Sequence, residues 1–217
     1  THEELRPDEP VQNFVIKVKE NKRVTPLDYN RNVFEIEFDI SGTGMKYSIG
    51  EALGIHGRND AKLVSEFIKM YGLNAQDTYE VPLADSKLGE LQTRTVEQLL
   101  TENVDLFGKP SKKFYESLAD YAADKEEKRL LKRLVAPAGA EDLKEYQDEQ
   151  FFTYADIFEK FKSARPSFED LLTLIPPMKR REYSIASSQK MHPNEVHLLV
   201  VVVDWVDKQG RKRYGQC

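Results

Sequence analysis

The sequence predicts an α+β fold in which antiparallel strands lie at both ends of the chain and a long helical segment lies between them. Apolar and acidic residues alternate strictly from Phe34 to Ile40, as in a half-buried strand. From Asn59 to Ile175 the apolar residues recur with the period of helices, and the strand pattern returns after Pro177. Two separate domains would give this order, but a β-domain with one helical insertion is more economical, because neither set of strands would easily close a core alone.

The strands before Asn59 follow one another through short turns. Segments 14–18 and 34–40 alternate, 45–49 reads as a weaker strand, and 50–57 as a short strand with glycine at both ends. Since no helix separates these strands, they indicate an antiparallel meander, sandwich or barrel rather than a parallel α/β sheet.

The helical segment carries its own start and stop signals. Gly72 can end the first helix, and Pro176 with Pro177 ends the last. The apolar stripes between them are typical of helix-on-helix packing and need no ligand. Residues suited to cap a helix precede these stripes: Asp60, Thr95, Asp124, Thr153 and Ser167.

The C-terminal strands include the most apolar part of the chain. Residues 182–187 form one predicted strand and 196–206 another. The run 198–203 is apolar on both faces, so we expect this strand to be covered on both sides. A turn at 207–210 leads into a last strand at 211–214.

Composition excludes several classes of function. The formal net charge of −5 argues against nucleic acid or an anionic membrane as the partner. The apolar run 198–203 is far shorter than the roughly 20 residues of a membrane-spanning helix, and no segment suits a signal peptide. The single cysteine, Cys217, excludes an internal disulfide and fits a reducing, cytoplasmic compartment, and four scattered histidines give no readable metal site. The basic clusters 179–181 and 211–213 form one anion site or are solvated strand ends.

The stretch from Met178 to Ser188 is the candidate functional segment. Arg181 can offer a planar fork of donors to an anion. Tyr183 projects from the same face of an extended strand and could stack on a flat ring, while Ser184 points the other way. Taken alone, these residues also fit an ordinary strand with a basic start.

The same segment resembles a known family. Residues 181–184 read Arg-Glu-Tyr-Ser and are followed by Ile-Ala-Ser-Ser, which is similar to the FAD-binding Arg-x-Tyr-Ser motif of the ferredoxin–NADP reductase superfamily, in the form used by diflavin reductases. The resemblance extends over nearly the whole chain, and within that group it is strongest to the flavoprotein components of fungal-type NADPH-dependent sulfite reductases. Cytochrome P450 reductases share the motif and are the alternative.

The resemblance implies an antiparallel β-barrel of the FAD-binding type with a large all-α connecting insertion. Residues 1–57 would form the first part of the barrel, 58–176 the helical insertion and 177–217 a truncated second part. Within the barrel, the resemblance implies that Arg181 pairs with the FAD pyrophosphate. It places Tyr183 against the isoalloxazine ring and Ser184 near the reactive edge or the ribityl chain of the flavin.

Two further segments belong to the implied FAD site. The family meets the flavin rim with backbone groups midway along the next strand, which here are Leu199, Val200 and Val201. An aromatic residue follows on that strand, and Trp205 occupies its place. The turn whose amides bind the pyrophosphate would begin at Gly215, Gln216 and Cys217.

The resemblance also implies a reaction that this chain alone would not complete. In the family, NADPH gives a hydride to FAD, which passes single electrons to an FMN domain and then onward, here to a sulfite-reducing haemoprotein. The FMN domain and the NADPH-binding domain would lie outside this chain, and no catalytic residue is expected within it. A hypothesis of a different class is that the chain is a flavin-free module that connects and docks redox domains.

Overall fold

The computed structural model of the protein describes residues 4–5, 13–82 and 91–215. It confirms the predicted mixture of helices and antiparallel sheets. The chain divides into two compact units. Unit 1 comprises Thr1–His56, Glu80–Thr93 and Arg180–Val203, and unit 2 comprises Gly57–Tyr79, Arg94–Lys179 and Asp204–Cys217. The division into two barrel segments and a connecting insertion stays a prediction.

Strands predominate at both ends of the described chain and helices between them, as predicted, except that β6 and β7 lie within the helical region. The strands are β1 (Glu4–Leu5), β2 (Asn13–Phe14), β3 (Lys17–Arg23), β4 (Val33–Asp39), β5 (Ala52–Ile55), β6 (Thr78–Pro82), β7 (Leu91–Thr95), β8 (Arg181–Ser184), β9 (Glu195–Val201), β10 (Asp204–Val206) and β11 (Lys212–Tyr214). The helices are α1 (Ala61–Tyr71), α2 (Val96–Glu102), α3 (Lys112–Tyr121), α4 (Lys125–Val135), α5 (Ala140–Lys144), α6 (Tyr154–Lys160) and α7 (Phe168–Leu174). Within the described ranges, none of these helices has the length and apolar character needed to cross a membrane.

The main sheet of unit 1 has the order β3–β4–β9, and both pairings are antiparallel. The alternation predicted for 34–40 sets the register, with Phe34 opposite Val200 and Ile36 opposite Leu198. Among the described residues, the strands form separate small sheets, and no sheet closes into a barrel. The core of this unit contains Ile40, Tyr47, Leu53, Val196 and Leu198.

The segment 45–49 is a loop, so the weak strand predicted there is wrong. In this loop, the side-chain amide of Gln189 forms the backbone hydrogen bonds that a neighbouring strand would otherwise provide. Gln189 Nε2 donates to the carbonyl oxygen of Met45 at 2.9 Å, and the N–H of Tyr47 donates to Gln189 Oε1 at 2.9 Å. Because this partner lies 142 residues away in the sequence, the local pattern could not reveal it.

The prediction of one long strand at 196–206, covered on both faces, is also wrong. β9 ends at Val201 and β10 begins at Asp204. Leu199 and Val203 are 57% and 59% exposed. The reason is that Leu199 lies on the face of β9 opposite to the core residues Val196 and Leu198, and among the described residues no further layer covers that face, while Val203 lies in the break between β9 and β10.

The helices of unit 2 begin where the capping residues predict. Asp60 Oδ1 accepts hydrogen bonds from the N–H groups of Lys62 and Leu63 at 2.9 and 3.0 Å. Thr95 and Thr153 form complete capping boxes, and Gly72 ends α1 in the left-handed region with φ of 83°. α3 packs against α4 and α7, and α1 against α2 and α6. The largest fully buried side chains of this unit are Tyr115, Tyr154, Phe158 and Phe161.

Two strands interrupt the segment that the periodicity predicted as helical throughout. β6 and β7 pair with each other between α1 and α2. β6 contains Tyr79 and Val81, which favour strands, and its residues alternate between exposed and half-buried. These five residues therefore follow a period of two inside a segment whose longer-range period is helical.

Candidate functional site

The Arg-x-Tyr-Ser segment is strand β8 of unit 1, which overlaps the predicted strand 182–187 but begins at Arg181 and ends at Ser184. It pairs antiparallel with β5, which places Leu53 opposite Tyr183 and Ile55 opposite Arg181. Just beyond β8, a single bridge joins Ile185 to Leu198 of β9. The candidate strand therefore connects the β5–β8 pair to the main sheet of the unit.

One face of β8 carries Arg181 and Tyr183. Tyr183 is half-buried and packs against the unit 1 core, next to the buried Leu53. Arg181 lies two residues earlier, hence on the same face of the strand. Its side chain is exposed and makes no hydrogen bond or ion pair with any residue that the structure describes. A guanidinium and an aromatic ring therefore share this face, and the guanidinium is accessible to an anion.

The opposite face of β8 carries an ion pair that the sequence reasoning missed. Arg180 Nε donates to Glu182 Oε1 at 2.9 Å. Both side chains lie over Gly54, where an added Cβ would come within 3.0 Å of Arg180 Cδ. Of two consecutive arginines, Arg180 is thus neutralised within the protein, whereas Arg181 is not. The i, i+2 spacing of Arg180 and Glu182 was the available signal, since such residues share a face of a strand.

The serines after Tyr183 differ in their bonding. Ser184 lies opposite Ala52 and is exposed, and its hydroxyl has no hydrogen-bond partner within the described part of the chain. Ser187 Oγ instead accepts from the N–H of His197 at 3.0 Å and bonds the hydroxyl of Tyr47 at 2.7 Å. Ser184 is thus open to a ligand, while Ser187 ties the chain after β8 to the core.

β9 presents an open backbone edge next to β8. The N–H of Val202 donates to the carbonyl of Asn32 on the β4 side, and the carbonyl of His197 accepts from Ala186 on the opposite side. Because antiparallel strands alternate their hydrogen-bonding directions, the backbone groups of Leu199 and Val201 point to this second side. Beyond the Leu198 bridge, no described strand pairs with that edge. Val200, between them, is half-buried and packs on the core.

The remaining predicted site residues belong to unit 2. Trp205 lies on β10, 5.5 Å from the ring of Phe151 between centroids, and its Nε1 is buried without a hydrogen-bond partner in the described ranges. Phe151 has an unusual φ of 50°, in the left-handed region. Gly215 follows β11, and the predicted positions Gln216 and Cys217 lie outside the described residues.

The basic cluster 211–213 has an internal role. The carboxylate of Asp207 is fully buried, and its Oδ2 accepts from Nε of Arg211 at 2.7 Å and from Nε of Arg213 at 2.9 Å. The same two arginines bond Asp156 of α6 at 2.6 and 2.8 Å. Arg211 and Arg213 are therefore neither solvated strand ends nor a free anion site, which corrects both predictions for them.

These arginines control the ionisation of Asp207. Burial acts to raise the pKa of the carboxyl group, but hydrogen bonds from the Arg211 backbone and from the side chains of Arg213 and Arg211 outweigh it, and the pKa falls to about 2. Asp207 is thus a charged, fully paired anchor between the turn and the strand that follows it.

Comparison with known proteins gives the family. A family model described as FAD binding domain matches residues 6–217. The chain is 67% identical over 213 residues to the sulfite reductase [NADPH] flavoprotein component of Saccharomyces cerevisiae, covering 98% of this chain and 20% of that protein. It is 49% identical to the probable sulfite reductase [NADPH] flavoprotein component of Schizosaccharomyces pombe, with 98% and 21% covered.

A relative from the alternative class is more distant. The NADPH–cytochrome P450 reductase of Cavia porcellus is 28% identical over 228 residues, covering 99% of this chain and 33% of that protein. The chain spans about a fifth of the length of its two fungal relatives. Since the family model covers nearly every residue, the chain belongs to the FAD binding domain family.

Proposed function

We propose that the chain is the FAD-binding and connecting region of the flavoprotein component of an NADPH-dependent sulfite reductase. The observation that carries this proposal is the 67% identity to the yeast flavoprotein component over 98% of the chain. Because the chain spans about a fifth of that relative, the complete reaction is proposed for the longer protein.

The proposed architecture is the FAD-binding barrel of the family. Residues 1–57 and 177–217 would form its two parts, and 58–176 the connecting insertion, largely helical. The pairing of β8 with β5, and its bridge to β9, supports this, because strands from both parts then meet in one unit.

Chemically, the residues of β8 fit FAD. Arg181 offers a guanidinium without a protein partner in the described ranges, which suits a pyrophosphate. Tyr183 presents a half-buried ring that packs against the core beside its cross-strand neighbour Leu53, which suits stacking on the isoalloxazine. Ser184 supplies an exposed hydroxyl for the flavin edge or the ribityl chain.

The remaining proposed contacts come from the end of the chain. The flavin rim would lie against Leu199, Val200 and Val201 of β9, where Leu199 and Val201 direct their backbone groups to the open edge and the backbone of Val200 faces β4. Trp205 would stack on the cofactor, and its Nε1, which has no hydrogen-bond partner among the described residues, supports a ligand role. The amides of the turn that begins at Gly215, Gln216 and Cys217 would bind the pyrophosphate.

Bound FAD would accept a hydride from NADPH and release single electrons to FMN, so the redox chemistry belongs to the cofactor. The chain contributes binding and orientation. Its side chains hold the phosphate charge, fix the ring plane and cover one side of the ring against water. NADPH and FMN would bind in flanking domains, and the sulfite-reducing haemoprotein would receive the electrons in the cytoplasm. By itself, the chain should not oxidise NADPH.

The alternative acceptor is a cytochrome P450, since the P450 reductase of Cavia porcellus also matches 99% of the chain. Its identity of 28% against 67% favours the sulfite reductase assignment. Reduction assays with purified haemoprotein and with cytochrome P450 as competing acceptors separate the two.

Flavin extraction from the full-length flavoprotein tests the cofactor assignment. We expect FAD and FMN in equal amounts, and FMN alone would refute the proposed FAD site. For the isolated chain, absorption after incubation with FAD and desalting tests whether it holds the cofactor by itself. If the full-length protein carries FAD and the isolated chain does not, the chain acts as a connecting module until its neighbours complete the site.

A further inference from the structure

A second group of reactive side chains lies on the outer face of the main sheet in unit 1. Val196 and Leu198 of β9 point into the core, so Glu195 and His197 point outward. His192 reaches the same place from the turn that precedes β9. None of these residues belongs to the proposed FAD site.

The two imidazoles face the same carboxylate oxygen. His192 Nδ1 lies 3.2 Å from Glu195 Oε2, and His197 Nε2 lies 3.0 Å from it. The ring centroids are 4.5 Å apart. Ligand atoms of the three residues all lie within 4.8 Å of one another. Two ring nitrogens and one carboxylate oxygen are therefore close enough together to bind one ion.

These separations suit a tetrahedral zinc ion. Zinc binds imidazole nitrogen and carboxylate oxygen at roughly 2.0–2.2 Å. For bonds of that length at the tetrahedral angle, two ligand atoms are separated by about 3.3–3.6 Å. The observed nitrogen–oxygen distances of 3.2 and 3.0 Å are close to this range, so small side-chain movements would admit the ion.

The surrounding groups resemble the outer shell of a metal site. Histidine ligands usually direct their second ring nitrogen toward a carboxylate or carbonyl. Here His197 Nδ1 lies 3.9 Å from Glu35 Oε1 and 4.0 Å from Glu37 Oε1. Lys19 holds the other oxygen of Glu195, which leaves Oε2 directed at the two rings. Three carboxylates and one ammonium give the cluster a formal charge of −2, which attracts a divalent cation.

We propose that His192, Glu195 and His197 form a zinc site, with a water as the fourth ligand. The ion would fasten the turn before β9 to the strand itself. The carbonyl of His197 also accepts the hydrogen bond from Ala186 that joins the chain after β8 to β9. Zinc binding would therefore stiffen the connection next to the candidate flavin strand. The sequence did not reveal this site. His192 and His197 come together because the turn before β9 places His192 beside that strand, and the local pattern does not show this.

Isothermal titration of the full-length flavoprotein with Zn²⁺ alone tests the proposal. We expect the wild type to bind one zinc ion at this site. His192→Asn and Glu195→Gln should each raise the dissociation constant of that ion at least tenfold. His56→Asn is the matched control, because His56 lies in the same unit but bonds Asn13 and not this cluster. His192 is half-exposed, so its substitution should leave folding intact, which circular dichroism checks.

Cobalt gives an independent readout. Co²⁺ bound at the site should show visible d–d bands that are lost in His192→Asn and kept in His56→Asn. Equal zinc affinity and stoichiometry in the wild type, His192→Asn and Glu195→Gln would overturn the proposal. It would also be overturned if only Glu35→Gln and Glu37→Gln weakened binding, because the ion would then lie on the Nδ1 side of His197.

Discussion

Arg180 donates from Nε to Oε1 of Glu182 at 2.9 Å, on the face of β8 opposite to that of Arg181 and Tyr183. The pair covers Gly54 on the neighbouring strand. This contact gives the two adjacent arginines different roles, because only one of them is already bonded to a carboxylate. The difference can be tested by comparing the same substitution at both positions.

Arg181→Ala should weaken FAD binding by about 1.5–3 kcal/mol, the usual contribution of a hydrogen bond to a charged group. This corresponds to a roughly ten- to hundredfold increase in the dissociation constant. The reason is loss of the guanidinium that we assign to the pyrophosphate. The measurement is FAD affinity of the full-length apoprotein, followed by fluorescence quenching.

Arg180→Ala is the matched control. It removes the same side chain one residue away, together with an exposed ion pair that contributes at most about 1 kcal/mol to stability. FAD affinity should change less than threefold. Equal losses in both variants would mean that the basic charge of the segment, and not the position of Arg181, determines binding.

The ring of Tyr183 should matter more than its hydroxyl. Tyr183→Phe keeps the surface that we expect to stack on the flavin, so FAD content should stay near that of the wild type. Tyr183→Ala removes it, and we expect at least a tenfold loss of FAD affinity, since aromatic stacking contributes about 0.5–1.5 kcal/mol beyond the buried area. Flavin content after gel filtration, with unfolding curves for both variants, gives the measurement. Loss of FAD from Tyr183→Phe would contradict the stacking role.

The local sequence predicted the elements whose determinants are local. Alternation set the register of β4, and capping residues such as Asp60 set the helix starts. Two of the missed contacts depend on distant partners, whereas the missed pair of Arg180 with Glu182 is local. Gln189 replaces a strand neighbour for Tyr47, and Arg211 bonds Asp156 across 55 residues of sequence. Periodicity shows which side chains share a face but not which distant group they meet, so the candidate strand and its local ion pair were predictable, and the contacts of Gln189 and Arg211 were not.

Asp207→Asn should destabilise the chain by about 3 kcal/mol, because removing one charge from a buried ion-pair network leaves the others incompletely paired. Within the described part of the chain, Arg211 and Arg213 would retain Asp156 as their one charged partner. The measurement is the free energy of unfolding in urea. Asp204→Asn is the control, because Asp204 lies on the adjacent strand and is exposed, and a change within about 0.5 kcal/mol is expected.

The same carboxylate predicts an acid dependence. Its pKa is about 2 in the folded chain, below the ordinary value of 3.8. A depressed pKa means that the stabilisation is complete above the ordinary pKa and is lost as the pH falls from about 4 through 2. Urea unfolding is measured between pH 5 and pH 2, at about unit intervals. As the pH falls, the free energy of unfolding should decrease more steeply in the wild type than in Asp207→Asn. Parallel curves would show that Asp207 does not titrate with folding.

The hydroxyl of Tyr47 should stabilise the connection between β8 and β9. It lies 2.7 Å from Ser187 Oγ and 2.8 Å from the carbonyl oxygen of Glu195. Because a carbonyl only accepts, Tyr47 donates to Glu195, and Ser187 donates to Tyr47. Tyr47→Phe leaves that carbonyl and the serine without these bonds, so we expect a loss of about 1–2 kcal/mol in the free energy of unfolding.

A double-mutant cycle completes the test of this contact. Ser187→Ala removes the same bond from the other side and also the acceptor for the N–H of His197. The double variant Tyr47→Phe/Ser187→Ala should therefore lose less free energy of unfolding than the two single variants together. We expect the difference to be about 0.5 kcal/mol or more. Tyr29→Phe is the control, because Tyr29 is 54% exposed and should lose little. Strict additivity of Tyr47→Phe and Ser187→Ala would mean that the two hydroxyls act independently and that their contact does not hold the chain after β8 in place.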